Sequence, residues 1–378
     1  MNSRELFLQT MHYGKPERMY IWHWKYGAFD NFSGSQFWQA AVDRWHKEGL
    51  PAEIDKSYKI NRYFNIDDYK VYGNIWYGRT EKQEVIEETE EFEVIKTGFG
   101  REIIKQYKGT KWESSMMQHI AYPINGPEDM HLFKRMLDPD SEWRYQWVGG
   151  LLEETVDSEV PTCINVGSLY GWLRNLLGIE KVSYLLYDNE KFIEELMEYL
   201  TEYAIEVVRR TVAGKKCRFD FALFWEDMAG NTGPLISPQH FKRLMVPRYK
   251  RITDFLHKEL DIDIVAVDSD GNTEKLIPLW LEAGVNLIQP LEVAAGMDVV
   301  KLRKEFGKDL LMIGGVDKRE LATTRDRIKR EVERVLPVFE SGGYIPAVDH
   351  SVPPDISFDN YMYYHNLLLE ECNKICGL

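Results

Sequence analysis

Val265-Ala266-Val267-Asp268-Ser269-Asp270-Gly271-Asn272 is the stretch on which the fold turns. The short apolar run is rich in β-branched residues, as a buried strand is, and Ser269 to Asn272 are turn formers. Asp268 follows the run with no spacer, so a carboxylate stands where the strand ends. The same arrangement recurs along the chain. Apolar runs cover 162–167, 219–226, 263–268, 285–291, 310–316 and 344–348. Between and after them, 189–212, 238–259, 273–283, 298–306, 325–339 and 359–375 carry helical spacing of apolar residues. Strand and helix in strict alternation with short links predict a parallel sheet. These six units, the aromatic run Arg18-Met19-Tyr20-Ile21-Trp22-His23-Trp24 and a strand hidden within 69–77 make up the eight of a closed barrel. The expected class is therefore α/β, a (βα)8 TIM barrel. The competing open, doubly wound sheet lacks its Gly-x-Gly-x-x-Gly signature after any of these runs.

Toward the N-terminus the pattern changes. Helices are expected over 3–13 and over 35–48, where Phe37, Ala40, Ala41 and Trp45 share a face. Residues 81–108 mix β-branched and charged residues around Thr97-Gly98-Phe99-Gly100, which reads as a β-hairpin or small antiparallel sheet with a Gly-containing turn. The chain is expected to be one domain over 1–378, with a helical and β-hairpin elaboration inside 1–160.

Five late strands run into carboxylates: Phe224-Trp225 into Glu226-Asp227, Val267 into Asp268 and Asp270, Leu291 into Glu292, Val316 into Asp317, and Val348 into Asp349-His350. In a barrel these ends open on one face, so the acidic groups converge. Converging carboxylates repel unless a metal, a proton or a cation compensates them. Asp317, before Lys318-Arg319-Glu320-Leu321, reads as a helix N-cap, and Asp270 before Gly271 also shapes a turn. Glu226 and Asp268 lie closest to their strands and are expected to face the mouth. His350, beside Asp349, is oriented for a ligand or general-base role.

Composition narrows the function. Lys plus Arg number 47 against 61 Asp plus Glu, a net charge of −14, and no basic footprint for nucleic acid is visible. No apolar stretch is long enough to span a bilayer, and residues 1–11 lack the basic start and apolar run of a secretory signal, so a cytoplasmic protein is expected. The four cysteines call for no disulfide framework. Gly314-Gly315 and Gly342-Gly343 have neither the Lys nor the Ser/Thr of a phosphate loop, and no Gly-x-Ser-x-Gly elbow occurs.

Phe224-Trp225-Glu226-Asp227-Met228-Ala229-Gly230, Ser237-Pro238 before a long helix, Asp268-Ser269-Asp270-Gly271-Asn272, Gly314-Gly315-Val316-Asp317-Lys318, and Gly342-Gly343-Tyr344-Ile345-Pro346 running through His350 to Pro353-Pro354-Asp355 together resemble the uroporphyrinogen decarboxylase superfamily. The likeness covers about residues 160–378. It implies a barrel with its site at the C-terminal mouth. Tetrapyrrole decarboxylases of that superfamily carry an Arg-Gln-Ala-Gly-Arg-Tyr stretch, whereas Met19-Tyr20-Ile21-Trp22-His23-Trp24-Lys25 here has no arginine pair to hold a polycarboxylate. The chain is more similar to the corrinoid-dependent methyltransferases of anaerobes. Their thiol-methylating members have a His-x-Cys-Gly-Asn zinc motif and a later Cys; at those positions stand Asp268, Asp270 and His350. Two carboxylates and an imidazole suit Zn2+ with an open fourth position.

The resemblance thus implies transfer of a methyl group from a small methylated compound, such as an aryl methyl ether, to the corrinoid of a separate protein, an O-demethylation. It casts Glu226, Asp227 and His350 as catalytic, Asp268, Asp270 and His350 as metal ligands, and Trp22, His23, Trp24, Trp225 and Glu292 as substrate-binding. Two alternatives stand beside it. A decarboxylase of another acid would need a cationic clamp from Lys25, Arg101 or Arg174. A non-catalytic corrinoid-binding barrel would have kept the fold and lost the chemistry.

Overall fold

The computed structural model describes residues 1–23, 36–108, 117–146 and 152–378. Its strands are β1 (Lys70–Tyr72), β2 (Glu84–Glu88), β3 (Phe92–Lys96), β4 (Ile103–Tyr107), β5 (Met117–Ala121), β6 (Thr162–Gly167), β7 (Phe221–Trp225), β8 (Ala229–Gly230), β9 (Gly233–Pro234), β10 (Val265–Asp268), β11 (Leu287–Gln289), β12 (Leu311–Val316) and β13 (Tyr344–Val348). Its helices are α1 (Ser3–Met11), α2 (Gln39–Glu48), α3 (Ser57–Tyr63), α4 (Met130–Met136), α5 (Tyr170–Leu177), α6 (Ile179–Asp188), α7 (Glu190–Val212), α8 (Pro238–His240), α9 (Val246–Leu260), α10 (Ile277–Glu282), α11 (Val299–Phe306), α12 (Lys318–Leu321), α13 (Arg325–Glu340) and α14 (Phe358–Cys376).

Seven parallel strands form the main sheet in the order β1-β6-β7-β10-β11-β12-β13. In the six strands after β1, side chains alternate between two buried surfaces, as a barrel wrapped in helices requires. Cys163, Phe221, Ala266, Leu287, Ile313 and Ala347 share one inner cluster, while Ile164, Val267, Ile288 and Met312 pack outward under the helices. Inner residues from all these strands touch one another because the sheet curls upon itself. α1 plugs the N-terminal end: the Phe7 ring lies 5.2 Å from that of Phe221, the first residue of β7, and Arg4 pairs with the buried Asp220. At Gly315 a side chain would strike Val299 on α11 at 2.3 Å, so β12 can seat that helix only with glycine there.

The strand expected over 18–24 takes a different form. Met19 to His23 is extended but carries no strand ladder among the described residues. It runs beside Asp67, whose N–H donates to the Ile21 carbonyl and whose carboxylate accepts the Ile21 N–H. Tyr20 and Trp22 belong to the inner cluster, so this segment fills the eighth position by packing. Among the described residues β13 and β1 do not bond, and Tyr20 and Trp22 pack in one cluster with Ile345 and Ala347 of β13 and with Tyr69 before β1.

Outside the barrel, β2-β3-β4-β5 form an antiparallel sheet; three of its strands lie within 81–108, where a hairpin or small antiparallel sheet was expected, and β5 adds a fourth. The helix expected over 238–259 is broken by a π-helical turn, Phe241–Met245, into α8 and α9. α5 and α6 were not expected. They stand between β6 and α7, at the mouth. No described helix is long and apolar enough to cross a membrane.

Candidate active site at the barrel mouth

Register builds the site. Trp225 and Gln289 are both partners of Asp268, so three neighbouring strands end in one row. One step beyond, the loops after β10, β11 and β13 bring Asp270, Glu292 and His350 together, with one ligand atom from each inside 4.8 Å. His350 Nε2 lies 3.3 Å from Asp270 Oδ2. Burial opposes a charge on His350, but the bond to Asp270 overrides it and raises the imidazole above its ordinary value.

The supports of this triad are built in. Glu292 Oε2 accepts the Gly271 N–H at 2.8 Å, and Lys318 Nζ stands 3.8 Å from Oε1. Asp349 is fully buried and accepts N–H groups from Val293 and Lys318, the neighbours of Glu292 and Asp317. It ties three loops to one point. Burial pushes its carboxyl up to about 6, only partly offset by Lys318. Carboxylates backed in this way are what an ordered metal site requires.

The cluster differs from the expected ligand set at one position: Glu292, expected to bind substrate, lies with Asp270 and His350, and Asp268 does not. Asp268 is nine-tenths buried one layer deeper. Burial, then the charges of Asp270 and Asp227, hold its carboxyl well above the usual range, and only Gln289 opposes them.

Glu226, expected to be catalytic, is not part of the triad. It is wholly buried and accepts N–H groups from Leu169, Tyr170 and Gly171 at 2.8 to 2.9 Å, together with the hydroxyls of Ser168 and Tyr249. Burial raises its carboxyl while these donors pull it down. Both oxygens are engaged by donors around the N-terminus of α5, so the side chain is bound into the fold there.

Asp227 follows it with φ +47° and pairs with Arg174 at 2.7 Å. The Arg174 guanidinium lies 5.4 Å from the Trp225 ring, and Trp76 stands 6.0 Å away on the other strand loop. Trp225 thus stands at the C-terminal end of β7, level with Asp268. Trp22 lies elsewhere: it stacks on Tyr69 at 4.6 Å, before β1 begins, in the core. His23 is buried beside Asp68 and Asn61 at the same level. Trp24 and Lys25 lie outside the described residues. Of the cationic clamps a decarboxylase would need, Arg174 is held by Asp227 and Arg101 by Asp129.

Sequence reading missed Gln289, Lys318 and the tying role of Asp349. Gln289 had a signal, a lone amide in the apolar run Leu287-Ile288-Gln289. Lys318 had none, because its partner is far away in sequence.

The model of the uroporphyrinogen decarboxylase family matches residues 111–368. Uroporphyrinogen decarboxylases of Legionella pneumophila strains Corby and Lens are 29% and 28% identical to this chain over 131 residues, 34% of this chain and 36% of each relative. The match spans about a third of the length of these relatives. Among solved structures, a methyltransferase from Methanosarcina mazei superposes with a TM-score of 0.55 at 12% identity, covering 99% of both chains. At that identity the likeness speaks for the fold.

Proposed function

Because the chain belongs to the uroporphyrinogen decarboxylase family, we propose that it is a methyltransferase of that family, moving a methyl group from a small methylated compound, an aryl methyl ether, to the corrinoid of a separate protein. The observation that carries this reading is the Asp270-Glu292-His350 triad at the mouth. Two carboxylate oxygens and an imidazole nitrogen within 4.8 Å, two of the residues with bonded supports, fit a divalent ion such as Zn2+. Such an ion, when bound, supplies a Lewis acid for the oxygen that departs from the methyl group.

The difficulty of the reaction explains the rest of the mouth. Breaking the methyl–oxygen bond leaves an alkoxide or phenoxide, a poor leaving group until its charge is met. Asp270, Glu292 and His350 fix the place where that charge is met. Gly271 orients Glu292, and Asp349 orients the loops that carry Glu292 and His350. Trp225, braced by Trp76 and Arg174, offers a flat wall for an aromatic ring. The methyl group would pass to the reduced corrinoid of the partner protein, and the departing oxygen would take a proton from solvent.

The test has two readouts. Calorimetric titration with Zn2+ should give one site per chain, weakened at least tenfold in His350→Ala and in Glu292→Ala. With reduced corrinoid protein and a panel of methoxyarenes, methylcobalamin should form in the wild type and fall about 100-fold or more in His350→Ala. Absence of metal binding together with absence of methylcobalamin across the panel would sink the reading.

A further inference from the structure

The converging carboxylates of the mouth already face one cation, and it belongs to the chain. Lys318 opens α12, directly after Asp317 at the end of β12. Its main-chain N–H donates to Asp349 Oδ1 at 3.2 Å, while Asp349 Oδ2 accepts the Val293 N–H beside Glu292. Asp349 is wholly buried, so the root of the Lys318 side chain and the Glu292 loop are fixed to one point. From that root the ammonium reaches to 3.8 Å from Glu292 Oε1. The Lys318 side chain is 20% exposed, as little as that of Glu292 at 19%. Nζ nevertheless makes no hydrogen bond among the described residues, where Glu292 is its ion-pair partner. Two other cations of these loops sit in closer pairs: Arg174 with Asp227 at 2.7 Å and Arg319 with Asp317 at 2.8 Å.

An ammonium with three donors and no acceptor at bonding distance is held by the charge of the carboxylates and not by a bonded geometry. A divalent ion answers to the same charge. Bonded to Glu292, it would come inside the screening length of about 8–10 Å from Nζ, in a half-buried place where screening is weak. Glu292 Oε2 already accepts the Gly271 N–H at 2.8 Å, so the oxygen with more freedom to bind is Oε1, the atom that faces Lys318. We propose that Lys318 is a built-in competitor of the metal: its ammonium compensates the triad while no metal is bound and leaves Glu292 when a divalent ion arrives. This rests on the metal reading of the triad and adds a control on its loading. The stem has four carbons and is flexible, and the exposed fifth of the side chain gives the head a way out to solvent.

Calorimetric titration of the metal-stripped full chain with Zn2+ tests the competition. Lys318→Met should bind at least about tenfold tighter than the wild type, the scale on which partners of metal ligands alter affinity. Lys318→Arg, which keeps the charge, should bind no tighter. In a Glu292→Ala background the gain from Lys318→Met should shrink to about twofold or less, because the contested oxygen is gone. A charge that merely acts from a distance would keep the gain there, and that result overturns the proposal. A second readout follows the head itself. Labelling with acetic anhydride, read by peptide mass spectrometry, should modify Lys318 severalfold faster with Zn2+ bound than without. Lys301 and Lys374, paired on outer helices, should label equally in both states. Unchanged labelling of Lys318 overturns the proposal and leaves the metal site standing. So does Zn2+ affinity in a folded Lys318→Met chain, checked by thermal unfolding, that is equal to or below the wild type. No Zn2+ binding by any variant removes the site and the proposal together. Both readouts as expected, with no methyl transfer from any ether, would remove the methyl-transfer reading alone.

Discussion

Glu226 and His350 both follow a strand and both carry ionisable groups, yet one is consumed by the fold and the other is not. The difference lies in what surrounds each. Glu226 meets three free N–H groups and two hydroxyls, whereas His350 meets carboxylates. Titration behaviour follows the same rule at His365, far from the mouth on α14. Its ring is buried against Phe64 and Tyr361, and burial lowers it to about 4, with only the Phe64 backbone opposing. Its folded value is below its unfolded one, so the unfolded chain binds the extra proton between about pH 6.5 and pH 4. Stability from this group is therefore full above that window and is lost as pH falls through it, by about 3 kcal/mol in all. Urea unfolding at pH 7 and pH 4.5 should show His365→Gln losing markedly less stability on acidification than the wild type. Equal losses would mean the imidazole is not held neutral. At this scale the sequence was legible in part. Carboxylates at strand ends could be counted, and His350 and Asp270 were read correctly as neighbours. Which of Asp268 and Glu292 joins them depends on a strand ending one residue sooner or later, and hydrophobic runs do not mark that.

Elements were legible where periodicity is long. β6 and β13 span the same residues as their apolar runs, and α7 and α14 lie within two residues of their expected bounds. α5 and α6 escaped for a physical reason. Tyr170, Trp172, Leu173, Leu176 and Leu177 are buried on nearly all sides of a two-turn helix, so no polar face betrays the period, and Gly178 looks like the end of a loop. Yet α5 is the element that Glu226 caps and from which Arg174 reaches Asp227. Its fit is tight at Gly171, where an added side chain would meet the Glu226 main-chain oxygen at 2.4 Å and Ser168 Oγ at 2.8 Å. Two principles give opposite signs for Gly171→Ala. Helix propensity alone stabilises by up to about 1 kcal/mol. Overpacking against a fixed backbone oxygen destabilises by about 1–3 kcal/mol. The contact is with main chain rather than with a side-chain end that can swing away, so destabilisation should win. The urea midpoint should fall with an unchanged slope. A midpoint at or above that of the wild type would show that α5 can slide on β7 and that the Glu226 cap does not fix it.

For the whole molecule, the question is what makes seven bonded strands behave as a closed barrel. The sequence indicated eight units, and the eighth proved to be a segment without a ladder, because Met19 to His23 is anchored by Asp67 and by aromatic packing in place of strand bonds. Arg18 holds the same Asp67 carboxylate at 2.7 Å, so one acid fixes both sides of the seam. Trp22 is the main apolar seal. It stacks on Tyr69 next to β1 and also faces Phe7 on α1 and Phe221 on β7. If the seam is closed by packing, Trp22→Ala removes the seal and opens a void between the first and last strands. The loss should fall at about 3–5 kcal/mol, the range for a fully buried large aromatic. Hydrogen exchange should locate it: amides of β1 and β13 should lose protection well before those of β7 and β10, which keep two bonded neighbours. A uniform loss of protection across all seven strands would instead mean that the barrel unfolds as one unit and that the seam is no weaker than the ladder. The distinction bears on the mouth, because Asp349 and His350 follow β13 directly, at the edge of that seam, so a barrel that loosens there loosens the triad first.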